Sequence, residues 1–323
     1  MRKRRETLEV HVEDEKQATA RLNETSQVVL FGTVSITTPT VHELLRRNIP
    51  LSYFTYGGWF LGHTAGTGHN NVELRTAQYR ASFDETLCLR LAKGLIHAKI
   101  ANARTLLRRN WRGEDSPDKV LHQLKKTADN TQKADSLDSL LGIEGTGANL
   151  YFQEFMNLLK QDEEASLSFD FLGRNRRPPK DPVNAMLSFA YAMLTREWSV
   201  ALSAVGLDPY RGFYHYPRFG RPALALDMME PFRPLIADSA VISAVNNGAV
   251  RPTDFVHGAG ACNLTKEGRK RFIGSFERRL AQEVTHPLFG YRITYRRLLE
   301  VQARLLGRFL LGELDDYPNF LTR

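Results

Sequence analysis

The sequence predicts an α+β protein, with a small N-terminal β domain over residues 1–70 and a large all-helical domain over residues 71–323. Three observations carry this. Up to about Gly68, apolar residues come in short alternating or β-branched runs separated by turn residues. From about Val72 they recur at helical spacing, as in Phe83, Leu87, Leu91 and Leu95. At 323 residues the chain is long enough for two separate cores.

In the first domain, residues 7–12 alternate and residues 27–36 (QVVLFGTVSI) are β-branched and apolar, so both read as strands. A short helix over 38–47 follows, with Thr38 or Thr40 near its cap. Residues 50–61 (PLSYFTYGGWFL) give two further strand-like runs around Gly57 and Gly58. In the second domain, residues 74–111 carry a helical pattern with no proline or turn to break it. Residues 113–118 form a polar loop, and helices follow over 117–126 and 134–141. The glycines of GIEGTG (142–147) then punctuate the chain, which sets Glu144 at the entrance of a helix resuming over 148–160.

Residues 161–182 read as a loop rich in charge and proline. Asp181 and Pro182 launch an apolar helix over 183–194, the acid as cap and the proline in the first turn. Helical patterns return at 225–237 and 240–246, residues 253–263 read as a short hairpin, and basic helices over 266–283 and 291–314 finish the chain.

Composition narrows the functions available. A formal charge of +8 attracts a polyanion, with nucleic acid the commonest candidate. The two cysteines, Cys88 and Cys262, form no CxxC pair, so neither a zinc knuckle nor a disulfide framework is suggested and a reduced cytoplasmic protein fits best. The basic start, residues 1–5, is followed by no apolar secretory core, and no apolar run approaches the length of a membrane span. The reading is of a soluble chain with no membrane partner.

Three places draw attention as chemistry. Glu144 lies between Gly142 and Gly145, and in isolation such an acid is a favourable charge near a helix N-terminus. His215 sits in GFYHYPRFGRPAL, a loop dense with aromatics and arginine. Asp227 and Glu230, three apart in the otherwise apolar LALDMMEPFRPLIAD, share one helix face. Acids in such a segment need water, a cation or a metal, and Arg233 or another arginine is the simple partner. Together Glu144, His215, Asp227 and Glu230 make a plausible site for a hard ion, Mg²⁺ or Mn²⁺, with the imidazole favouring acceptance of Mn²⁺. Beside a basic surface, such a site performs phosphodiester chemistry.

The ordered blocks GIEGTGA (Glu144), DPVNAMLSFAYAML (Asn184), GLDPYRGFYH (His215), LALDMMEPFRPLIAD (Asp227, Glu230) and ITYRRLLEVQARLLGRFLLGE resemble the CRISPR-associated integrase and endonuclease family (Cas-one) over nearly the whole chain. The resemblance implies a β domain that forms a homodimer and a helical catalytic domain. It implies that Glu144, His215 and one or both helix acids hold the metal, Glu230 being most like the usual acidic ligand and Asp227 an adjacent contributor. The implied reaction inserts short double-stranded DNA fragments, spacers, into CRISPR repeat DNA by attack of their 3′-hydroxyls. The implied partner is a small ferredoxin-like protein (Cas-two). The abrupt beginning suggests a portion of a fusion with the Cas-four exonuclease.

Several basic residues are placed to hold DNA. Arg218 and Arg221 flank His215, Arg174, Arg176 and Arg177 lie in the loop before Asn184, and Arg296 is on the last helix. Tyr214 and Tyr216 either stack on an unpaired base or pack locally. Asn184 either orients a group at the site or ties helices together. The competing readings are a structure-specific nuclease with the same metal site and a catalytically idle DNA-binding scaffold. The presence of all four site candidates argues against the scaffold.

Overall fold

The structure is a computed structural model that describes the chain except residues 59, 65, 67–70, 161–168, 170, 172, 176, 177, 259 and 323. The chain divides into two compact units, Met1–Asn71 and Val72–Arg323.

The first unit holds two three-stranded sheets. Strands β1 (Arg2–Arg4), β2 (Thr7–Val12) and β3 (Glu15–Arg21) form an antiparallel meander. Strand β4 (Val28–Phe31) runs parallel to β5 (Leu51–Phe54), with helix α1 (Thr38–Arg46) as the crossover, and β6 (Phe60–Thr64) pairs antiparallel with β5. A small core of Leu8, Leu22, Val28, Leu30, Leu44, Ile49 and Leu51 joins them. Strands β1 and β3 escape the sequence pattern. β3 (EKQATAR) is exposed at every residue, so it has no apolar alternation to read.

The second unit is mostly helical. Helix α2 (Val72–Ala81) is followed by α3 (Glu85–Asn110), so the pattern over 74–111 is two helices and not one. The break falls where the Asp84 side chain accepts from the Leu87 amide at 3.0 Å, capping a new helix where periodicity alone shows none. Helices α4 (Asp118–Asn130) and α5 (Leu137–Gln153) pack on α3. Glu144 therefore lies inside α5, not at its entrance. Ser136 caps this helix at Ser139 N, and its glycines are tolerated because packing outweighs their intrinsic cost.

Helix α6 (Pro182–Val205) is buried along most of its length and is capped by Asp181, which accepts from Asn184 N at 2.8 Å. After a loop come α7 (Ala223–Met229), a 3₁₀ turn (Glu230–Phe232), a π-helical turn (Arg233–Asp238) and α8 (Ser239–Asn246). Pro231 and Pro234 lie within these turns, and their missing amides account for the departure from α-helical bonding.

The all-helical expectation is modified by two hairpins. Strands β7 (Phe255–Gly258) and β8 (Ala261–Leu264) form one, as read from 253–263. Helix α9 (Lys266–Ala281) leads to the second, β9 (Glu283–Thr285) with β10 (Arg292–Thr294), before the final helix α10 (Tyr295–Leu310). The final segment returns across α3. Buried Asn102 donates to Pro231 O and Phe320 O, each at 2.9 Å, and accepts from Thr322 N at 3.0 Å. Phe320 stacks on Phe232. The backbone just after Glu230 is thus pinned from α3.

Candidate metal and active site

Four neighbouring pieces of the helical unit supply the site: α3, the middle of α5, the 213–215 loop and the turn following α7. Helix α5 comes close to α3 at Gly147, where a Cβ would lie 3.0 Å from two side-chain atoms of Ile100. One turn earlier on α5 is Glu144. One residue earlier on α3 is Lys99, and the two side chains meet in an ion pair.

The loop is fixed by Asp227, which is fully buried. Its Oδ2 accepts from the amides of Phe213 (2.6 Å) and Tyr214 (3.0 Å), and its Oδ1 accepts from the His215 amide at 2.7 Å. The same Oδ1 lies 2.8 Å from His215 Nδ1. An ionised carboxylate only accepts, so Nδ1 carries the proton, and in the neutral ring Nε2 keeps its lone pair. Nε2 faces Glu230, whose Oε1 is 3.8 Å away. The imidazole thus stands between two acids three residues apart. Gly212 makes this possible, because a Cβ there would fall 2.6 Å from Asp227 Oδ2 and 2.8 Å from the Ala223 backbone.

Glu230 is almost wholly buried, and burial works to raise its carboxyl. Arg233 and Lys99 outweigh that and hold it below the ordinary carboxylate range. Arg233 Nη2 is 3.0 Å from Oε1, and Lys99 Nζ is 2.7 Å from Oε2. Lys99 meets Oε2 as an ion pair, and among the described residues no donor reaches that oxygen with full hydrogen-bond geometry. Tyr214 donates its hydroxyl to Glu144 Oε2, and burial together with that acid raises the phenol.

Among the described residues, no three of the His, Cys, Asp and Glu side chains are already gathered as a metal cage. The cause is visible, since the Lys99 ammonium stands between Glu144 and Glu230. The donors nevertheless fit a hard divalent ion. They are two carboxylates and one imidazole nitrogen, and the other imidazole nitrogen is oriented by an acid behind it. Asp227 is placed differently from its pair, since backbone amides and Nδ1 occupy its oxygens.

A third buried acid, Asp238, lies near the same Arg233. Tyr191 and Tyr151 donate to it at 2.7 and 3.1 Å, and the Arg233 guanidinium lies 4.6 Å from the centre of the Tyr191 ring. Burial pushes the Asp238 carboxyl up to about 6 against the pull of both phenols and of Arg233 and Arg174.

The basic candidates divide. Arg218 is exposed beside His215, with Tyr216 and Phe219 also open to solvent, and Arg221 is half-buried, 3.5 Å from Tyr216 O. Arg174 bonds Asn184 Oδ1 at 2.6 Å and Ser188 Oγ at 3.3 Å, and its guanidinium lies 5.4 Å from the Tyr191 ring centre. Asn184 is itself buried, donating to Gly173 O and Asp181, so it ties the loop to the start of α6. Arg296 bonds Glu197 and Glu277. Arg176 and Arg177 lie outside the described residues. A 420 Å³ cavity opens beside His215, lined among others by Phe83, Arg211, Tyr214 and Tyr216.

The sequence reading does not single out Lys99 or Asp238. Lys99 carries a legible signal, because it falls in phase with Ala92, Ile96 and Ala103 on the buried stripe of α3, where a cation needs a partner. Asp238 lies at the end of a run of apolar residues and two prolines, a similar but weaker signal.

In the helical unit His215 stands between two buried acids, Asp227 and Glu230. Comparison with known proteins defines the family. Residues 1–278 match the family model described as CRISPR associated protein Cas1. The chain belongs to that family. It is 63% identical over 327 residues to a CRISPR-associated exonuclease Cas4/endonuclease Cas1 fusion of Geobacter sulfurreducens, an alignment that takes in all of this chain and 58% of that relative's length. A casposase solved bound to its integration product is similar with a TM-score of 0.79 and 25% identity, over 95% of this chain and 85% of that one. A Cas6-RT-Cas1–Cas2 complex is similar with a TM-score of 0.77 and 28% identity, over 98% of this chain and 34% of that one.

Two predictions follow from this geometry. Gly212→Ala forces the Asp227 clamp apart, so it lowers stability by about 1–3 kcal/mol in urea unfolding, and it shifts the His215 ring resonances in NMR spectra. The second concerns Asp238. Its folded-state value is raised, so its contribution to stability is present below the ordinary value near 3.8 and is lost as pH rises through about 6. Asp238→Asn removes that loss. Its stability relative to wild type therefore climbs between pH 4 and pH 7, by up to about 3 kcal/mol in denaturant melts.

Proposed function

We propose that this chain is the integrase part of a CRISPR adaptation system, inserting short DNA fragments into repeat DNA by 3′-hydroxyl attack on a phosphodiester. The observation that carries the reading is that Glu144 and Glu230 meet at the Lys99 ammonium while His215 Nε2 faces Glu230, with Asp227 fixing the histidine from behind. In this reading Glu144, Glu230 and His215 hold the divalent ion, and Asp227 positions His215 without touching it. The ion, Mg²⁺ or Mn²⁺, supplies neutralisation of phosphate charge and acidification of the attacking hydroxyl.

The chain's own residues do the rest. Asp227 keeps the proton on Nδ1, so that Nε2 stays a donor of electrons throughout. Tyr214 holds one oxygen of Glu144 by donating to it. Arg233 balances the charge of Glu230 and keeps it ionised. Arg218 and Arg221 stand next to His215, where a backbone phosphate is attracted without regard to sequence. One phosphodiester is broken as another forms, so positioning dominates and no external energy source is needed. The casposase with its integration product and the complex containing Cas2 support this assignment of substrate and partner. The fusion relative supports a Cas4 exonuclease working with this chain. The β unit is assigned to homodimer formation, and the setting to the cytoplasm.

Strand transfer tests the reading. Labelled fragments with free 3′-hydroxyls and a repeat-containing target are incubated with the chain, the small Cas2 partner and Mn²⁺ or Mg²⁺. Wild type joins them, while Glu144→Ala, His215→Ala and Glu230→Ala lose at least about 100-fold of the rate. Joining that survives these substitutions, or that needs no divalent ion, overturns it.

A further inference from the structure

Among the described residues, Lys99 is a charged side chain at the site that the proposed chemistry leaves without a task. Helix α3 carries it on a buried stripe, and its side chain is 16% exposed. Its ammonium pairs with Glu144 and also lies 2.7 Å from Glu230 Oε2. That places it where an ion shared by these two acids would sit. A lysine ammonium and a divalent ion cannot occupy one gap, because both need the same carboxylate oxygens, one by hydrogen bonds and the other by coordination, and the two cations repel each other.

The surroundings explain why a cation is there at all. Glu144, Asp227 and Glu230 bring three carboxylates into a largely buried space, with Arg233 as the other full cation at Glu230. Uncompensated burial of such charges is strongly destabilising. The surroundings also offer a second seat. A 30 Å³ cavity is lined by Lys99, Gly147, Tyr151, Tyr191, Arg233 and Asp238 among others. This is room for a group of about the size of one water, which is also about the size of an ammonium. Asp238 is also part of its lining, a buried carboxylate whose hydrogen bonds, among the described residues, come from two neutral phenols. A flexible four-carbon stem is the element that makes such a shift feasible.

We propose that Lys99 is an exchangeable internal cation, which bridges Glu144 and Glu230 before metal binding and yields that place to a divalent ion by moving into the cavity toward Asp238. This rests on the metal site proposed above. In the metal-free chain Lys99 acts as a stand-in that keeps the two acids together. In the loaded chain it neutralises Asp238. The exchange sets metal affinity, because the ion must displace an ion pair to bind, and it makes Lys99 a positioning residue with no contact to the reacting groups.

The test uses Mn²⁺ alone as the probe, titrated into the full chain by calorimetry, with no DNA present. Lys99→Met removes the competitor. Its Mn²⁺ affinity is expected to rise about tenfold, within the usual range of coupling between two sites, while its melting temperature in chelator falls. Asp238→Asn removes the second seat and keeps the shape. It is expected to weaken Mn²⁺ binding about threefold in the presence of Lys99 and to have no effect in the Lys99→Met background. Because Asp238→Asn retains Lys99 and introduces no buried charge, it keeps the proposal open to refutation even where Lys99→Met folds poorly. Wild type that binds Mn²⁺ while Lys99→Met binds no more tightly overturns the exchange and leaves the metal site standing. An Asp238→Asn effect that persists without Lys99 also overturns it. Failure of wild type and every variant to bind Mn²⁺ overturns the metal site itself, and the exchange with it.

Discussion

The interaction on which the helical unit turns is the clamp made by Asp227. A carboxylate removed from water is tolerated only when its oxygens are fully engaged. Here three consecutive backbone amides and an imidazole N–H engage them. The same four contacts that stabilise the charge fix the course of the 213–215 loop and the tautomer of His215. Local structure and site chemistry are therefore set by one group. Gly212 next to the clamp and the buried start of α7 are the packing conditions that let the loop come so close.

The other acids extend the same logic outward. Glu230 stands at the end of α7, where Pro231 interrupts the helix, and Asn102 of α3 holds the Pro231 carbonyl in place. Glu144 arrives from α5 through the close approach at Gly147. Each acid has its own counter-charge or donor: Arg233 and Lys99 at Glu230, Lys99 and Tyr214 at Glu144. Elements far apart in sequence are held together by charges that none of them can bury alone. Sequence distance is bridged by long helices, which keep these side chains at fixed heights on stiff supports.

Much of this was legible in the sequence, for reasons that can be named. The division into β and helical parts follows from a change in apolar period, and the Asp181 cap and the 253–263 hairpin follow from local chemistry. Glu144, His215, Asp227 and Glu230 were legible as acids and a histidine in unusual company, and as members of ordered blocks. What stayed hidden was hidden physically. β3 offers only two small alanines among polar residues and is exposed throughout, and the break before α3 leaves Phe83 in helical phase. A spacing of three puts Asp227 and Glu230 on one face but does not say which meets a cation and which meets amides. Arg174, Asn184 and Arg296 look like DNA contacts in a basic sequence, and in the fold each also makes hydrogen bonds within the chain.

Diffraction from crystals soaked in Mn²⁺, recorded for its anomalous signal, tests the central assignment most directly. The account predicts one strong peak in bonding contact with Glu144, Glu230 and His215 Nε2, with Asp227 still on its three amides. An ion bound directly by Asp227, or a peak elsewhere with these three side chains unmoved, would contradict it.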